Sequence, residues 1–322
     1  MELLPLFSLL RPRSIAEAVE MRTGAGEIRF LAGGTDLVPA LRRGLVQADV
    51  VIDLGDVAEL RGITFDEEGA RIGAGSTLKD VAAHPQLRRD FPAVVEAALA
   101  IAGPTHRAVG TVGGNLCLDT RCRYFNQSES WRTANDFCKK RDGDTCRVAP
   151  KSGRCYAAYS GDLAPALMVH GALVEIAGPG GARLAPLVDL FADDGIAYLR
   201  LEPGELLVAV RVPAATNWRS GYEKIRTRGA IDFPLAGVAV ALRREDGALR
   251  DLRIATTGTD SRPLMITGLS DLCALPCDET LPQLEKLMRR QLGAMETTVV
   301  PATYRRRVVP VLARRLIDRL LA

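Results

Sequence analysis

Five of the seven cysteines, Cys117, Cys122, Cys138, Cys146 and Cys155, fall within 39 residues, while Cys273 and Cys277 lie far downstream. Clustered thiols in a reducing compartment point to metal or redox chemistry rather than disulfides. The gaps are fifteen residues from Cys122 to Cys138, seven to Cys146 and eight to Cys155. No Cys-x-x-Cys pair occurs, so neither zinc-finger nor two-cluster ferredoxin spacing is present. On spacing alone, metal binding competes with plain buried thiols. Four thiolates on one long loop fit a [4Fe–4S] centre, whose ligation energy would order the loop. Tyr124, Phe125, Trp131, Phe137, Tyr156 and Tyr159 could shield such a centre, or simply pack.

Two glycine pairs form a second candidate. Phe30-Leu-Ala-Gly-Gly-Thr-Asp-Leu37 joins a strand to a helix, and Thr111-Val-Gly-Gly-Asn115 repeats the arrangement after Val109–Val112, read as a strand. Paired glycines let the backbone approach a ligand closely and aim successive N–H groups at an anion such as a pyrophosphate. Two such loops could clasp the phosphates of a dinucleotide from opposite sides. A Gly-Gly turn is more often purely structural. Neither loop has the Gly-Lys-Ser/Thr of a Walker loop or the Gly-x-Gly-x-x-Gly dinucleotide fingerprint.

Short strands and helices alternate around these motifs. Ser14 with Glu17 and Thr77 with Asp80 have helix-capping spacing. Residues 61–66 and 70–74 read as a hairpin, and Pro92–Ala102 as an Ala-rich helix. Residues 119–158 lose periodicity and read as an insertion needing its own staple. A helix follows Gly161-Asp162, and Leu206–Val212 alternates as a strand. Tyr222–Arg226, Leu235–Leu242 and Leu249–Thr256 predict a three-stranded antiparallel sheet, with a turn at Glu245-Asp-Gly247 and helices at 281–292 and 302–321. A boundary is expected near 216, giving segments 1–216 and 217–322.

With 322 residues, 47% hydrophobic and 25% charged, the chain can form a real core in two or three domains. No apolar run reaches the roughly 20 residues of a membrane span. The apolar start lacks a basic leader, so the expected location is the cytoplasm. Net charge is +3, but residues 119–155 carry nine Lys/Arg against five Asp/Glu, and 301–322 carry six Arg against Asp318. Without a nucleic-acid motif, such patches suggest protein docking. His84, His106 and His170 form no metal spacing, and no Ser/His/Asp set supports hydrolysis.

The order Ala-Gly-Gly-Thr-Asp-Leu, Thr-Val-Gly-Gly-Asn-Leu and Gly-Asp-Leu-Ala-Pro at 161–165 resembles the flavoprotein subunits of the molybdenum hydroxylase family, which includes carbon monoxide and xanthine dehydrogenases. The similarity covers the chain outside 119–158. It implies an α+β fold: a vanillyl-alcohol-oxidase (PCMH) type FAD-binding domain followed by a smaller α+β C-terminal domain. It implies FAD held by Leu31, Ala32, Gly33, Gly34, Thr35, Asp36, Leu37, Thr111, Val112, Gly113, Gly114 and Asn115 around the pyrophosphate. Asp162 would serve the ribose, and Ile101, Leu207 and Lys224 the flavin, although a core aliphatic, a strand aliphatic and a solvated lysine are the plain alternatives.

The insertion resembles that of the reductive branch of the family, the 4-hydroxybenzoyl-CoA reductases. Their flavoprotein subunit carries an additional [4Fe–4S] cluster, which would map onto Cys122, Cys138, Cys146 and Cys155. Cys117 would pack near the flavin. The implied partners are a large molybdenum-cofactor subunit, a small subunit with two [2Fe–2S] clusters, and a ferredoxin donor docking on the basic insertion, in a dimer of heterotrimers. Two rivals remain: an oxidatively running hydroxylase flavoprotein, and a zinc-stabilised docking subunit without flavin.

Overall fold

A computed structural model describes residues 3–24, 26–245, 248–273 and 277–322, with the side chains of residues 248 and 277–281 left aside. The turn expected at Glu245-Asp-Gly247 and the side chain of Cys277 lie outside the described residues.

Three sheets organise the chain. β1 (Ser8–Leu10), β2 (Ile28–Leu31) and β3 (Val50–Asp53) form a parallel sheet in the order β1-β3-β2. The N-terminal helix Ile15–Arg22 begins at Ser14, whose side chain accepts from the Glu17 amide, as the spacing predicted. The turn after β2 carries the first glycine pair into the helix Leu37–Arg42.

β4 (Ile63–Asp66), β5 (Gly69–Gly73), β6 (Leu173–Gly178), β7 (Gly181–Pro186) and β8 (Leu206–Pro213) build an antiparallel sheet ordered β4-β5-β8-β6-β7. Its central strand, β8, reads Leu-Leu-Val-Ala-Val and is buried over those five residues. The helix Leu78–Ala83 has the reciprocal Thr77/Asp80 capping box. The helix Pro92–Ala100 is apolar nearly all round, which suits its burial in the core.

The chain crosses to the last sheet between Pro213 and Trp218. β9 (Trp218–Ile225), β10 (Ala236–Glu245), β11 (Ala248–Thr257) and β12 (Leu264–Met265) follow the order β12-β11-β10-β9. Three strands were expected there; β12 holds two residues, too short to leave a periodic pattern. Alternation along β10 sends Ala239 and Ala241 to the core shared with Val94, Leu163 and Leu167. Val238, Val240 and Leu242 point the other way, against Leu284, Met288, Leu312 and Leu316 of the helices Cys277–Gln291 and Ala302–Leu321. The alanine face lets the sheet approach the helices of the preceding part closely, so the two parts share one core.

Residues 119–158 leave and rejoin the body side by side. Arg121 and Ala158 exchange two backbone hydrogen bonds of 2.7 Å, closing the neck. The segment holds one short helix, Glu129–Ala134, capped by Ser128, where no periodicity was legible. The Arg123 amide bonds the Thr297 carbonyl, tying the insertion to the C-terminal part as well.

Candidate functional site: a glycine-walled cleft beside a thiol nest

A cleft of about 1660 Å³ runs along the first glycine turn, the second glycine segment, the insertion neck and the 228–233 loop. That exceeds the roughly 300–1,000 Å³ of sites for drug-sized ligands and leaves room for a dinucleotide. A Cβ at Gly33 would lie 2.0 Å from the Val109 carbonyl oxygen, so the two segments meet backbone to backbone. Gly34 sits at φ +70, a left-handed conformation natural to glycine. Among the described residues, the Gly33, Gly34 and Thr35 amides donate no hydrogen bond. Three free N–H groups in a concave turn suit an anionic diphosphate. Asp36 would repel that anion, but its carboxylate is paired with Arg121.

The second glycine pair differs from expectation. Thr111 caps a short helix, Val112–Leu116, rather than ending a strand. Its amides are engaged: Val112 with Ser76 O at 3.0 Å, Gly113 with Ala74 O at 2.7 Å, Gly114 with Thr111 Oγ1 at 3.1 Å and Asn115 with Thr111 O at 3.0 Å. A Cβ at Gly113 would lie 2.9 Å from that of Ala74, so this glycine serves close packing. The two segments adjoin, but only the first offers a set of free amides. A clasp by amides from both sides is therefore replaced by a one-sided nest.

Most of the expected cofactor residues line the cleft: Ala32, Gly33, Gly34, Thr35, Asp36, Leu37, Ile101, Thr111, Gly113, Gly114, Asn115, Asp162 and Leu207. Three lie off it. Leu31 packs with Leu41 and Val51 below the turn, and Val112 is buried in the main core. Lys224 has its ammonium 3.0 Å from Asp162 Oδ1 and 3.2 Å from the Asp232 carbonyl, with both side chains of the pair under 5% exposed. The Tyr222 hydroxyl donates to Asp162 at 2.6 Å. Burial pushes the Asp162 carboxyl up, against the pull of Lys224 and Tyr222. Asp162 thus joins the cleft wall to β9, and both its oxygens already have partners.

Sequence patterns missed other cleft residues. Arg121 stacks over the Phe233 ring at 4.6 Å, and burial lowers its pKa to about 10. Tyr198 donates to the Cys117 carbonyl at 3.3 Å. His106 Nδ1 is buried without a hydrogen-bond partner among the described residues and belongs to the cleft wall. None sits in a repeated motif, and only folding brings them together.

The insertion gathers its four thiols. Cys122, Cys138, Cys146 and Cys155 are all buried and line one small void with Phe125, Lys139, Lys140 and Ala157. All four are free thiols, and the Ala157 amide donates to Cys155 Sγ at 3.4 Å. Burial raises Cys122 and pushes Cys155 up to about 11, with Lys140 pulling Cys155 back. Among the described residues, no three His, Cys, Asp or Glu side chains approach closely enough to hold a single metal ion. Cys117 stands apart on the cleft wall, its thiol pushed up to about 12 by burial. Phe125 and Lys140 belong to both linings, so they form the wall between void and cleft.

The expected basic docking patch is exposed only in part. Arg132 is 1% exposed and bonds the Gln127 and Gly44 carbonyls. Lys140 is buried, and Arg121, Arg141 and Arg154 pair with Asp36, Asp142 and Asp193. Arg123, Arg147 and Lys151 are exposed, beside exposed Glu129, Asp136, Asp142 and Asp144. Only part of the positive charge of the segment is therefore free at the surface.

This fold and cleft suit a bound dinucleotide. The family described as the FAD binding domain in molybdopterin dehydrogenase matches residues 5–215. The chain belongs to that family, the FAD-binding medium subunits of molybdenum hydroxylases. It is 30% identical over 97% of its length to the carbon monoxide dehydrogenase medium chain of Afipia carboxidovorans, covering 96% of that protein. It is 32% identical over 81% of its length to the FAD-binding subunit of an aldehyde oxidoreductase of Escherichia coli, covering 83% of it. A crystallised Cu,Mo-CO dehydrogenase contains a chain with TM-score 0.81 at 27% identity, with 99% of each chain covered. No described helix is long and apolar enough to cross a membrane.

Proposed function

We propose that this chain is the FAD- and [4Fe–4S]-carrying electron-transfer subunit of a 4-hydroxybenzoyl-CoA reductase type of molybdenum enzyme, with an FAD-binding part at 1–216. The observation that carries this reading is the four-thiol nest, separated from the cleft by one wall of side chains. The support is the donor set: four buried thiols from one segment line a common void, the number a [4Fe–4S] centre takes. Bound FAD would exchange electrons singly or in pairs, and the cluster one at a time.

The residues divide the work. The Gly33–Thr35 amides receive the diphosphate, while Arg121 neutralises Asp36 beside it. Ile101 and Leu207 give the cleft apolar wall, and Asn115 holds it in shape by accepting from the Leu163 amide at 3.0 Å. Cys122, Cys138, Cys146 and Cys155 release their protons to become ligands. Phe125, buried in one cluster with Cys122, Cys138 and Cys155, keeps water from the nest.

The partners in this reading are a large molybdenum-cofactor subunit, a small subunit with two [2Fe–2S] clusters and a ferredoxin donor, as a dimer of heterotrimers in the cytoplasm. A second reading, a flavoprotein subunit running oxidatively, is favoured by the relatives, which are named as dehydrogenases and oxidoreductases. Anaerobic purification of the complex tests both. About four iron atoms per flavin in this chain beyond the small subunit's iron are expected, with loss of the para hydroxyl from 4-hydroxybenzoyl-CoA under a low-potential donor. Flavin without extra iron, and activity only towards oxidisable substrates, would establish the second reading.

A further inference from the structure

Lys140 is buried in the wall between the thiol nest and the cleft, its side chain 6% exposed. Its three N–H donors reach Asp119 Oδ1 at 2.7 Å, Thr120 Oγ1 at 2.9 Å and the Gly195 carbonyl at 2.5 Å. Its ammonium also lies 4.9 Å from the Phe125 ring and 5.4 Å from the Tyr198 ring. Gly195 in turn closes over the nest: its amide bonds the Cys155 carbonyl at 2.9 Å, and a Cβ there would sit 2.8 Å from Cys155 Sγ. Asp119 lines the cleft and is absent from the nest lining, whereas Lys140 lines both. The ammonium thus acts electrostatically on Cys155, to which Gly195 links it, while the carboxylate of the pair lines the cleft.

We propose that the Lys140–Asp119 pair tunes electron transfer between the two sites, with Lys140 raising the electron affinity of the nest. This rests on the reading that the nest holds an iron–sulfur centre. When a low-potential donor delivers one electron, the nest gains one negative charge and no bond is made or broken. A fixed cation beside it stabilises that added charge, and burial keeps the interaction from being screened. The same pair turns its carboxylate to the cleft, so it opposes electron accumulation there and biases the distribution towards the nest. Lys140 is a tuning residue, one that need not ligate iron or touch substrate.

Redox titration of the intact complex, followed by electron paramagnetic resonance, tests this. Lys140→Gln is expected to lower the reduced-to-oxidised ratio of the nest at a fixed potential about tenfold, about 59 mV for a one-electron couple. Lys140→Arg should restore the wild-type value, and Asp119→Asn should raise the ratio, with a larger shift on the flavin. Unchanged ratios in Lys140→Gln and Asp119→Asn, or a failure of arginine to restore, would overturn the proposal while leaving the cluster reading intact. If Lys140→Gln does not fold, the sign of the Asp119→Asn shift decides. A wild-type chain that binds flavin but no iron would instead remove the cluster reading, and this proposal with it.

Discussion

The Asp162 carboxylate and the Lys224 ammonium lie 3.0 Å apart in the interior, joining the cleft wall to the C-terminal sheet. Removing one partner of a buried pair leaves the other uncompensated, at a cost of about 3–5 kcal/mol. Lys224→Met is therefore expected to destabilise the chain by that order. Joint replacement with Asp162→Asn should cost clearly less than the sum of the single changes. Chemical denaturation of the two single variants and the double variant measures the coupling, and simple additivity would refute it.

Gly33→Ala should purify with little flavin. The added methyl meets the Val109 carbonyl oxygen at 2.0 Å, backbone that cannot yield without moving the turn whose amides are free. Gly114→Ala is the control, because its nearest neighbour is Thr111 Oγ1 at 3.1 Å, a side-chain atom. Flavin absorbance per chain should fall severalfold in the first variant and little in the second. Equal retention would show that the first turn is not the anion site.

Serine replacements of Cys122, Cys138, Cys146 and Cys155, made singly, should each deplete iron while retaining flavin, since the cleft wall is built elsewhere. Cys117→Ser should leave iron unchanged, its side chain being outside the nest. Colorimetric iron and flavin assays on anaerobic preparations check the contrast. Iron loss in the Cys117 variant alone would reassign the ligand set.

His170 donates or accepts across 3.1 Å to Ser220 Oγ, inside the core against Phe91. Burial, with Arg253 second, lowers its pKa to about 4. A histidine depressed in the fold contributes stability above its unfolded value of about 6.5, lost as pH falls towards 4. In that window the unfolded chain binds a proton that the folded one refuses. Unfolding free energy should fall by up to about 3 kcal/mol from this site, about 1.4 kcal/mol per unit. His170→Gln should flatten the slope between pH 6.5 and 4 in denaturation series.

Glu175 on β6 bridges Arg71 on β5 at 2.7 Å and Arg211 on β8 at 2.6 Å, two like charges that face each other in the sheet register. The hydrogen bond from Arg71, then that from Arg211, holds its carboxyl below the usual range. Glu175→Gln should cost on the order of 1 kcal/mol, because the arginines remain partly solvated. The loss should vanish in acid, once the wild-type carboxyl is also protonated.

The sequence alone carried the local rules. Ser14 and Thr77 start helices because a hydroxyl three residues before an acidic side chain satisfies free amides within a single turn. Residues 206–212 read as a strand, although the expected alternation gives way to continuous burial over 206–210, and the two glycine pairs located the cleft wall. These signals are short in range, so spacing encodes them. Tertiary structure decided the rest, because it depends on which distant surfaces meet. The second glycine pair looks like the first until Ala74 and Ser76, brought up by another element, take its amides. Lys224 reads as a solvated lysine until β9 turns it onto Asp162. The positive charge of 119–155 reads as a docking surface until carbonyls and carboxylates of the fold draw Arg132, Lys140 and Arg121 inward. Charge and composition are counted along the chain, but burial and partnership are set only when the chain closes on itself.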